Sequence, residues 1–206
     1  MVAGAEPIRF DVFFDYLCPY VYRASLLFDE VRRSGRELDV RWRYFSLTQV
    51  NSKDDGWTVW DAPVGEPVKG RLAFAAAEAA RRQHRFGDLH RALLSARHRD
   101  RLELDEPEVV ESMAAHAGLD VERFKTDLSD PSILEALAAD HRHAVTELGI
   151  FGTPTFVFEG GASAYVRLTA PAEADGSVQV FERLLAVAAQ EPRILEIKRP
   201  PKPAAV

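Results

Sequence analysis

Residues 8–20 read IRFDVFFDYLCPY, and this segment joins the pattern of a strand to the start of a helix. Apolar side chains alternate over residues 8–16, and Phe13 adds an apolar side chain to the opposite face. This is typical of a central strand that is covered on both sides. Pro19 suits the first position of a helix, because its missing N–H would be unpaired there. We therefore predict a strand over 8–16 and a helix over 19–34, with Cys18 between them.

The pattern after this helix indicates a second strand and then a helical block. Apolar and polar residues alternate over 38–47, which predicts a strand parallel to the first with a right-handed helical crossover. Residues 51–67 carry the composition of a loop. Helical periodicity follows over 72–84, 86–96, 106–117, 121–128 and 132–148. Asp105 and Ser132 are the expected N-caps of two of these helices, because each has a glutamate three residues later.

Strand patterns return after the helical block. Residues 155–158 and 164–168 are short strand candidates joined through Gly160-Gly161, a hairpin signal. Residues 177–190 form an amphipathic helical pattern, and the proline-rich tail from Arg199 is expected to fray. The order is βαβ, a helical block, then ββα. This predicts an α/β fold with a mixed sheet and a helical insertion.

Length, composition and charge narrow the class of protein. The chain has 206 residues, of which 47% are hydrophobic, and its net charge is −6. An acidic chain of this kind is a poor candidate for binding nucleic acid or an anionic membrane, so we expect neither partner. No apolar run is long enough for a membrane span, and no signal-peptide pattern is recognised at the N-terminus. With one cysteine and so no disulfide framework, we expect a cytoplasmic location. The oligomeric state stays open.

Cys18 is the candidate for chemistry. A lone cysteine is usually a small inert hydrophobe. A cysteine at a helix N-terminus differs, because free N–H groups and the helix dipole favour the thiolate, which is the reactive form. The carboxyl end of a strand is also where ligands bind in open α/β sheets.

Two motifs and the insertion between them resemble the DsbA-like family. They are Asp15-Tyr16-Leu17-Cys18-Pro19-Tyr20 after a strand and Ile150-Phe151-Gly152-Thr153-Pro154-Thr155-Phe156 before one, with Gly118-Leu119-Asp120 in the helical block. The resemblance implies a thioredoxin fold formed by residues 7–62 and 149–190, with an inserted helical domain over 63–148 and a tail over 191–206. It also implies Cys18 as the catalytic residue and a cis peptide before Pro154. The expected thiol- and substrate-binding residues are Pro19, Tyr20, Thr153 and Pro154.

The chain departs from the family pattern at Val21. The family's usual motif is Cys-x-x-Cys, whose second thiol resolves the mixed disulfide formed by the first. Val21 occupies that second position. A disulfide exchange reaction at Cys18 would therefore need an external thiol, such as glutathione or another low-molecular-weight thiol, as co-substrate; no bound cofactor is expected.

Three functions stay open on these grounds. The first is a monothiol thiol–disulfide oxidoreductase, for which FrnE-like proteins are a close resemblance. The second is a thiol-dependent isomerase or transferase acting on a small electrophile. Proteins similar to 2-hydroxychromene-2-carboxylate isomerases and kappa-class glutathione transferases are of this kind. The third is a non-enzymatic redox-sensing or binding protein.

Other candidate residues carry less weight. Trp57 and Trp60 either line a substrate cleft or, as we favour, seal the insertion against its host. Asp15 is either a carboxylate below the cysteine or, as we favour, a strand-end residue. His141 and His143 lie two apart on a predicted helix and so point to different faces, and no metal-site spacing is present.

Overall fold

A computed structural model describes residues 6–63, 66–169 and 174–198. The first βαβ unit consists of β1 (Ile8–Phe14), α1 (Pro19–Arg33) and β2 (Leu38–Tyr44). The two strands pair in parallel, with Ile8 opposite Leu38 and Phe14 opposite Tyr44. The predicted strands and crossover are confirmed, and each predicted strand runs two or three residues too far at its carboxyl end.

The helical block follows a short unpredicted helix, α2 (Leu47–Val50), which Ser46 caps by accepting from the Gln49 N–H. The block contains α3 (Arg71–Arg82), α4 (Phe86–His98), α5 (Pro107–His116), α6 (Val121–Leu128), a 3-10 turn (Pro131–Leu134) and α7 (Glu135–Thr146). Gly118 and Gly149, which follow α5 and α7, have φ angles of 76° and 63°.

Both predicted N-caps in this block are wrong. Glu106, and not Asp105, is the N-cap residue of α5. The Asp105 carboxylate instead accepts from the Gly70 N–H at the start of α3, at 2.7 Å. Asp130 caps the 3-10 turn by accepting from the Ser132 N–H. The carboxylates of Asp105 and Asp130 therefore accept from backbone N–H groups that the spacing to a later glutamate does not identify.

The chain then returns to the first sheet through β3 (Thr155–Phe158) and β4 (Ser163–Tyr165), and α8 (Ala174–Ala188) follows. The strand order is β2-β1-β3-β4, and β3 is antiparallel to both of its neighbours. Gly160 and Gly161, in the predicted hairpin, have φ angles near +87° that favour glycine. Strands from the two ends of the chain thus form one mixed sheet.

Apolar residues fill both faces of β1. Phe10 and Val12 pack with Phe28 of α1 and Phe181 of α8. Phe13 points the other way and packs with Phe45, Ala144 and Ile150. A third cluster joins Phe14 and Tyr16 to the helical block. The prediction of a central strand covered on both sides is confirmed, and the insertion is anchored where β1 ends.

The fold is a thioredoxin fold with a helical insertion, as predicted, whereas the exact domain boundaries stay predictions. None of the described helices is long and apolar enough to cross a membrane. The expected fraying from Arg199 onward lies outside the described residues, as does the N-terminal segment before Glu6.

Candidate active site around Cys18

Cys18 is the N-cap residue of α1. Its backbone is extended, with φ −86° and ψ 115°, and Pro19 takes the first helical position. The Cys18 N–H donates to the Asp15 carbonyl at 3.1 Å, and its own carbonyl accepts from the Val21 N–H at 3.1 Å. The thiol makes no capping hydrogen bond to the helix. The position predicted for the cysteine is therefore observed, and its sulfur points away from the N–H groups that it could have capped.

The sulfur lies against the turn that precedes β3. The Thr153–Pro154 peptide is cis, as predicted. The Cys18 thiol donates to the Thr153 carbonyl, with 3.2 Å between Sγ and O. Two residues that are 135 positions apart in the chain thus share one contact, and the two sequence motifs form one site.

The sheet explains why this contact forms. Phe13, near the end of β1, pairs with Thr155 at the start of β3. On the other side of β3, the Val166 N–H donates to the Pro154 carbonyl at 3.0 Å. The turn is therefore fixed by strand pairing on both sides, next to the loop that carries the cysteine.

The site is largely buried. Cys18 is 5% exposed and Thr153 2% exposed. The Thr153 hydroxyl is buried and finds no hydrogen-bond partner among the described residues. The neighbouring Thr155 hydroxyl, in contrast, donates to the Gly152 carbonyl at 2.7 Å. A buried polar group without a hydrogen-bond partner lowers the stability of the fold. The Thr153 hydroxyl therefore differs from the polar groups of an ordinary core, which are hydrogen-bonded.

Val21 stands one helical turn beyond Cys18 and is fully buried in the same cluster. It is the position at which a Cys-x-x-Cys motif has its second thiol. Since Cys18 is the chain's one cysteine, no second thiol of this chain can attack a disulfide formed at Cys18.

Asp15 is fully buried and acts as a connector. Its carboxylate accepts from the Leu17 N–H at 2.7 Å and from the Leu47 N–H at 2.6 Å, which ties the cysteine loop to the segment after β2. Burial raises the pKa of this carboxyl from its ordinary 3.8 to about 6, against the lowering effect of the two N–H donors. These bonds agree with the strand-end role that we favoured.

The remaining predicted binding residues, Pro19 and Tyr20, follow the cysteine in the first turn of α1. Pro19 is exposed and Tyr20 is half-buried. The Tyr20 hydroxyl accepts from the guanidinium of Arg167, which also lies over the tyrosine ring at 4.4 Å from the centroid. Arg23 lies on the same ring at 5.2 Å.

Several residues around the site were not predicted from the sequence. Phe151 is 72% exposed and contacts Tyr165, with 5.1 Å between the ring centroids. Tyr165 in turn lies 3.1 Å from the position that a Cβ atom would occupy on Gly152. Phe151 lies within the quoted motif and could have been noticed as an apolar residue in a loop. Arg167 gives no signal in the sequence, because only the hairpin brings it to Tyr20.

The tryptophans and histidines do not join the site. Trp57 and Trp60 pack against the large cluster that includes the helical block, which agrees with a sealing role. His141 is buried and His143 is on the surface. In the ranges that the structure describes, no group of three or more His, Cys, Asp or Glu side chains is arranged to hold a metal ion.

Two solved structures that share this fold are named as an oxidoreductase and a disulfide reductase. A probable DsbA oxidoreductase from Streptomyces coelicolor has a TM-score of 0.61 at 21% identity, over 93% of this chain and 94% of that one. The cytosolic disulfide reductase DsbM from Pseudomonas aeruginosa, solved with GSH, has a TM-score of 0.57 at 20% identity, over 86% and 99%. At such identities, the likeness establishes the fold.

Sequence comparison establishes the family. Residues 9–182 match the DsbA-like thioredoxin domain, and the chain belongs to this family. Among its relatives, Rv2286c from Mycobacterium tuberculosis is 24% identical over 95% of this chain and 84% of its own length. The ClpXP adapter protein SpxH from Bacillus subtilis is 27% identical over 74% of this chain, which spans only 58% of SpxH.

Proposed function

We propose that this protein is a monothiol thiol–disulfide oxidoreductase in which Cys18 is the nucleophile and an external small thiol completes the cycle. The contact between the Cys18 thiol and the Thr153 carbonyl carries the proposal. It places a helix N-terminal cysteine beside a backbone segment that an extended partner can align with. Membership of the DsbA-like family supports the same chemistry.

The proposed reaction has two exchange steps. The Cys18 thiolate attacks one sulfur of a disulfide, and a new S–S bond forms as the partner's S–S bond breaks. The leaving thiolate takes up a proton from solvent. In the second step, the thiolate of a small thiol attacks the mixed disulfide and releases Cys18 as a thiolate. When the substrate is a mixed disulfide between a protein and a small thiol, and Cys18 takes the small-thiol half, the first step releases the protein thiol. The second step consumes one further small thiol, and the two small-thiol equivalents end as one disulfide.

Burial of Val21 supports the need for an external thiol. A valine in the first turn of α1 offers no sulfur, and its packing leaves the second step to a molecule that enters from solvent. A reducing cytoplasm supplies reduced thiols in excess, so this location is part of the proposal. Glutathione is one member of the thiol class, and the DsbM neighbour was solved with GSH.

The binding residues enter the proposal by position. Pro19 and Tyr20 follow the cysteine at the start of α1, and the Thr153 carbonyl contacts its thiol, with Pro154 next in the chain. We assign Thr153 to aligning the backbone of the partner, and Tyr20 to contacting the partner's thiol-bearing moiety. The FrnE-like branch and the isomerase or transferase activity stay predictions.

The direct test is turnover of a peptide whose cysteine is disulfide-bonded to glutathione, in the presence of reduced glutathione. We expect the wild type to release the peptide thiol catalytically, and Cys18→Ser to match the uncatalysed rate. Equal rates for the two proteins would refute the proposed activity. If the wild type shows turnover, the intact mass of protein isolated without reductant would identify the cellular thiol through its adduct on Cys18.

A binding function is the second candidate, because one relative is a ClpXP adapter protein. An adapter needs a partner surface and no turnover. The exposed Phe151, beside the buried cysteine, is a surface on which such a partner would pack. The peptide assay separates the two: a binding protein gives no turnover at any thiol concentration.

A further inference from the structure

We infer that Arg167 and Arg23, which both contact the ring of Tyr20, form a carboxylate-binding subsite that selects a small, negatively charged thiol as the partner of Cys18. The inference rests on the proposed function and names the class of thiol that completes the cycle. It predicts that Cys18 reacts preferentially with anionic small thiols and their disulfides, a preference that neither the fold nor a lone cysteine implies.

Both guanidinium groups contact the same aromatic ring, that of Tyr20. Arg167 lies 4.4 Å and Arg23 5.2 Å from the Tyr20 centroid, both within the range of a cation–π contact. Arg167 also donates to the Tyr20 hydroxyl, and Arg23 donates to the Leu168 carbonyl at 3.1 Å. The Tyr20 ring and these hydrogen bonds thus hold two cationic groups around one side chain, where both would attract a bound anion.

Neither guanidinium has an acidic partner among the residues that the structure describes. Within the described ranges, arginines elsewhere on the surface are commonly paired: Arg41 with Asp11 at 2.6 Å, Arg36 with Glu182 at 2.6 Å and Arg91 with Asp88 at 2.9 Å. Arg167 and Arg23 form no ion pair with any described carboxylate. In a chain of net charge −6, an unpaired cationic pair beside the proposed nucleophile points to an anionic ligand.

The cationic pair lies on the two chain segments that adjoin the cysteine. Tyr20 is two residues beyond Cys18, so their Cα atoms are at most about 7 Å apart. Arg167 follows Val166, whose N–H is bonded to the Pro154 carbonyl in the wall that contacts the thiol. The pKa of Arg167 is raised by its hydrogen bond to Tyr20 and also by the charges of Tyr165 and Cys18, which lie within electrostatic range.

A thiol of tripeptide size is the ligand class that such a subsite would take. A molecule whose sulfur meets Cys18 and whose backbone runs along Thr153 would bring a carboxylate past Tyr20 to the two guanidiniums. Arginine recognises carboxylates through paired N–H donors. An acidic residue next to a cysteine in a protein substrate offers the same chemistry, and the experiment below separates the two sources.

The test measures, by intact mass, the second-order rate at which Cys18 forms a mixed disulfide with each of three symmetric disulfides. Oxidised glutathione is anionic, hydroxyethyl disulfide is uncharged and cystamine is cationic. A change in the reactivity of the thiol itself moves all three rates together, whereas a carboxylate subsite changes their ratio. The readout is therefore the glutathione rate divided by the cystamine rate.

We expect Arg167→Gln and Arg23→Gln each to lower this ratio roughly two- to fivefold, the size of one partly exposed charge pair. The double variant should lower it by about tenfold. Tyr20→Phe keeps the ring but removes the hydroxyl that holds Arg167, and it should give a smaller decrease. Added salt should lower the wild-type ratio, because it screens exposed charges.

Arg9→Gln is the matched control. Arg9 is an exposed arginine at the opposite end of β1 from the cysteine, and its substitution makes the same change in net charge. An unchanged ratio in the Arg167 and Arg23 variants, or an equal decrease in Arg9→Gln, overturns the subsite while leaving the monothiol mechanism standing. If the wild type forms no adduct with any of the three disulfides, the proposed function fails and the subsite with it.

A further pair of substrates identifies the source of the carboxylate. Two peptides, each disulfide-bonded to mercaptoethanol, are compared. One has glutamate and the other glutamine next to the cysteine. We expect the two peptides to react at similar rates in wild type and Arg167→Gln. A preference for the glutamate peptide that Arg167→Gln abolishes, without the effect on oxidised glutathione, would overturn the small-thiol assignment and indicate a protein substrate.

Discussion

The Cys18 thiol donates a hydrogen bond to the Thr153 carbonyl, with 3.2 Å between Sγ and O. A thiolate has no hydrogen to donate, so ionisation of Cys18 frees this carbonyl to accept from an N–H of an incoming partner. In the proposed mechanism, activation of Cys18 and preparation of the Thr153 carbonyl to align a substrate are therefore one event. This coupling is the central physical feature of the proposed site.

The unpartnered hydroxyl of Thr153 leads to the first prediction. Thr153→Val removes a buried hydroxyl that bonds nothing, so we expect the free energy of unfolding to rise by about 1 kcal/mol. Thr155→Val is the matched control, since its hydroxyl donates to the Gly152 carbonyl. It should lower the free energy of unfolding by about 1 kcal/mol. Urea unfolding of both variants measures these values, and a loss in Thr153→Val would show that its hydroxyl has a partner in solution.

Asp15 leads to a prediction on pH. Burial raises its pKa from 3.8 to about 6, so the folded state binds a proton that the unfolded state releases. The contribution of Asp15 to stability is full below pH 3.8 and is lost as the pH rises through 6. Between pH 4 and 7, the stability of wild type relative to Asp15→Asn should fall by about 2–3 kcal/mol.

The measurement is urea unfolding of both proteins at intervals over that range. Asp55→Asn serves as the control, because Asp55 is an exposed loop residue. A stability difference between wild type and Asp15→Asn that does not vary with pH would contradict the burial of a titrating carboxyl behind the cysteine.

His141 leads to a prediction of opposite sign. Its Nδ1 accepts from the Ser46 N–H at 3.1 Å, and burial lowers its pKa from 6.5 to about 4, with a smaller effect of Arg142. The stability that it contributes is full above pH 6.5 and is lost as the pH falls through 4. Wild type should therefore lose on the order of 2–3 kcal/mol relative to His141→Asn on acidification from pH 7 to 4.

Asparagine is chosen because its Oδ1 keeps an acceptor for the Ser46 N–H and does not titrate. His143→Asn, at a half-exposed position of the same helix, is the control for replacing a histidine of α7 by asparagine. Equal pH dependence for the two variants would mean that His141 is accessible to solvent in the folded protein.

The sequence predicts the fold well because periodicity reports burial directly. The two faces of β1 were inferred from the positions of Phe10, Val12 and Phe13, and both faces are covered as expected. Pro19 and Gly35 bound α1 through their own backbone properties, which need no tertiary context. Signals of this local kind are readable from a single sequence.

The features that the sequence does not predict depend on contacts between residues that are far apart in the chain. Asp105 has the spacing of a helix cap, but Gly70, 35 residues earlier, takes its carboxylate. Arg167 has no local pattern, and only the pairing of β4 with β3 brings it to Tyr20. The cysteine and the proline turn were joined through a family resemblance, because no local rule relates residues so far apart in the chain.

Val21 leads to a prediction on the missing thiol. Val21→Cys restores a sulfur one helical turn from Cys18 and should form an intramolecular disulfide in air, with a mass two hydrogens lower than the reduced protein. After reaction with a disulfide, this variant should expel the bound thiol without help. Val21→Thr, which has a similar shape and no sulfur, should retain the adduct as wild type does. Retention of the adduct by Val21→Cys would place residue 21 beyond reach of the mixed disulfide.

The most direct test of the central claim is the mass of wild-type protein after exposure to oxidised glutathione, followed over time after the excess is removed. The account predicts one glutathione adduct, located on Cys18, that persists until reduced thiol is added and then disappears. Cys18→Ser should acquire no adduct. Wild-type protein that stays unmodified although its fold is intact would contradict the account, because Cys18 would then be an inert residue of the core.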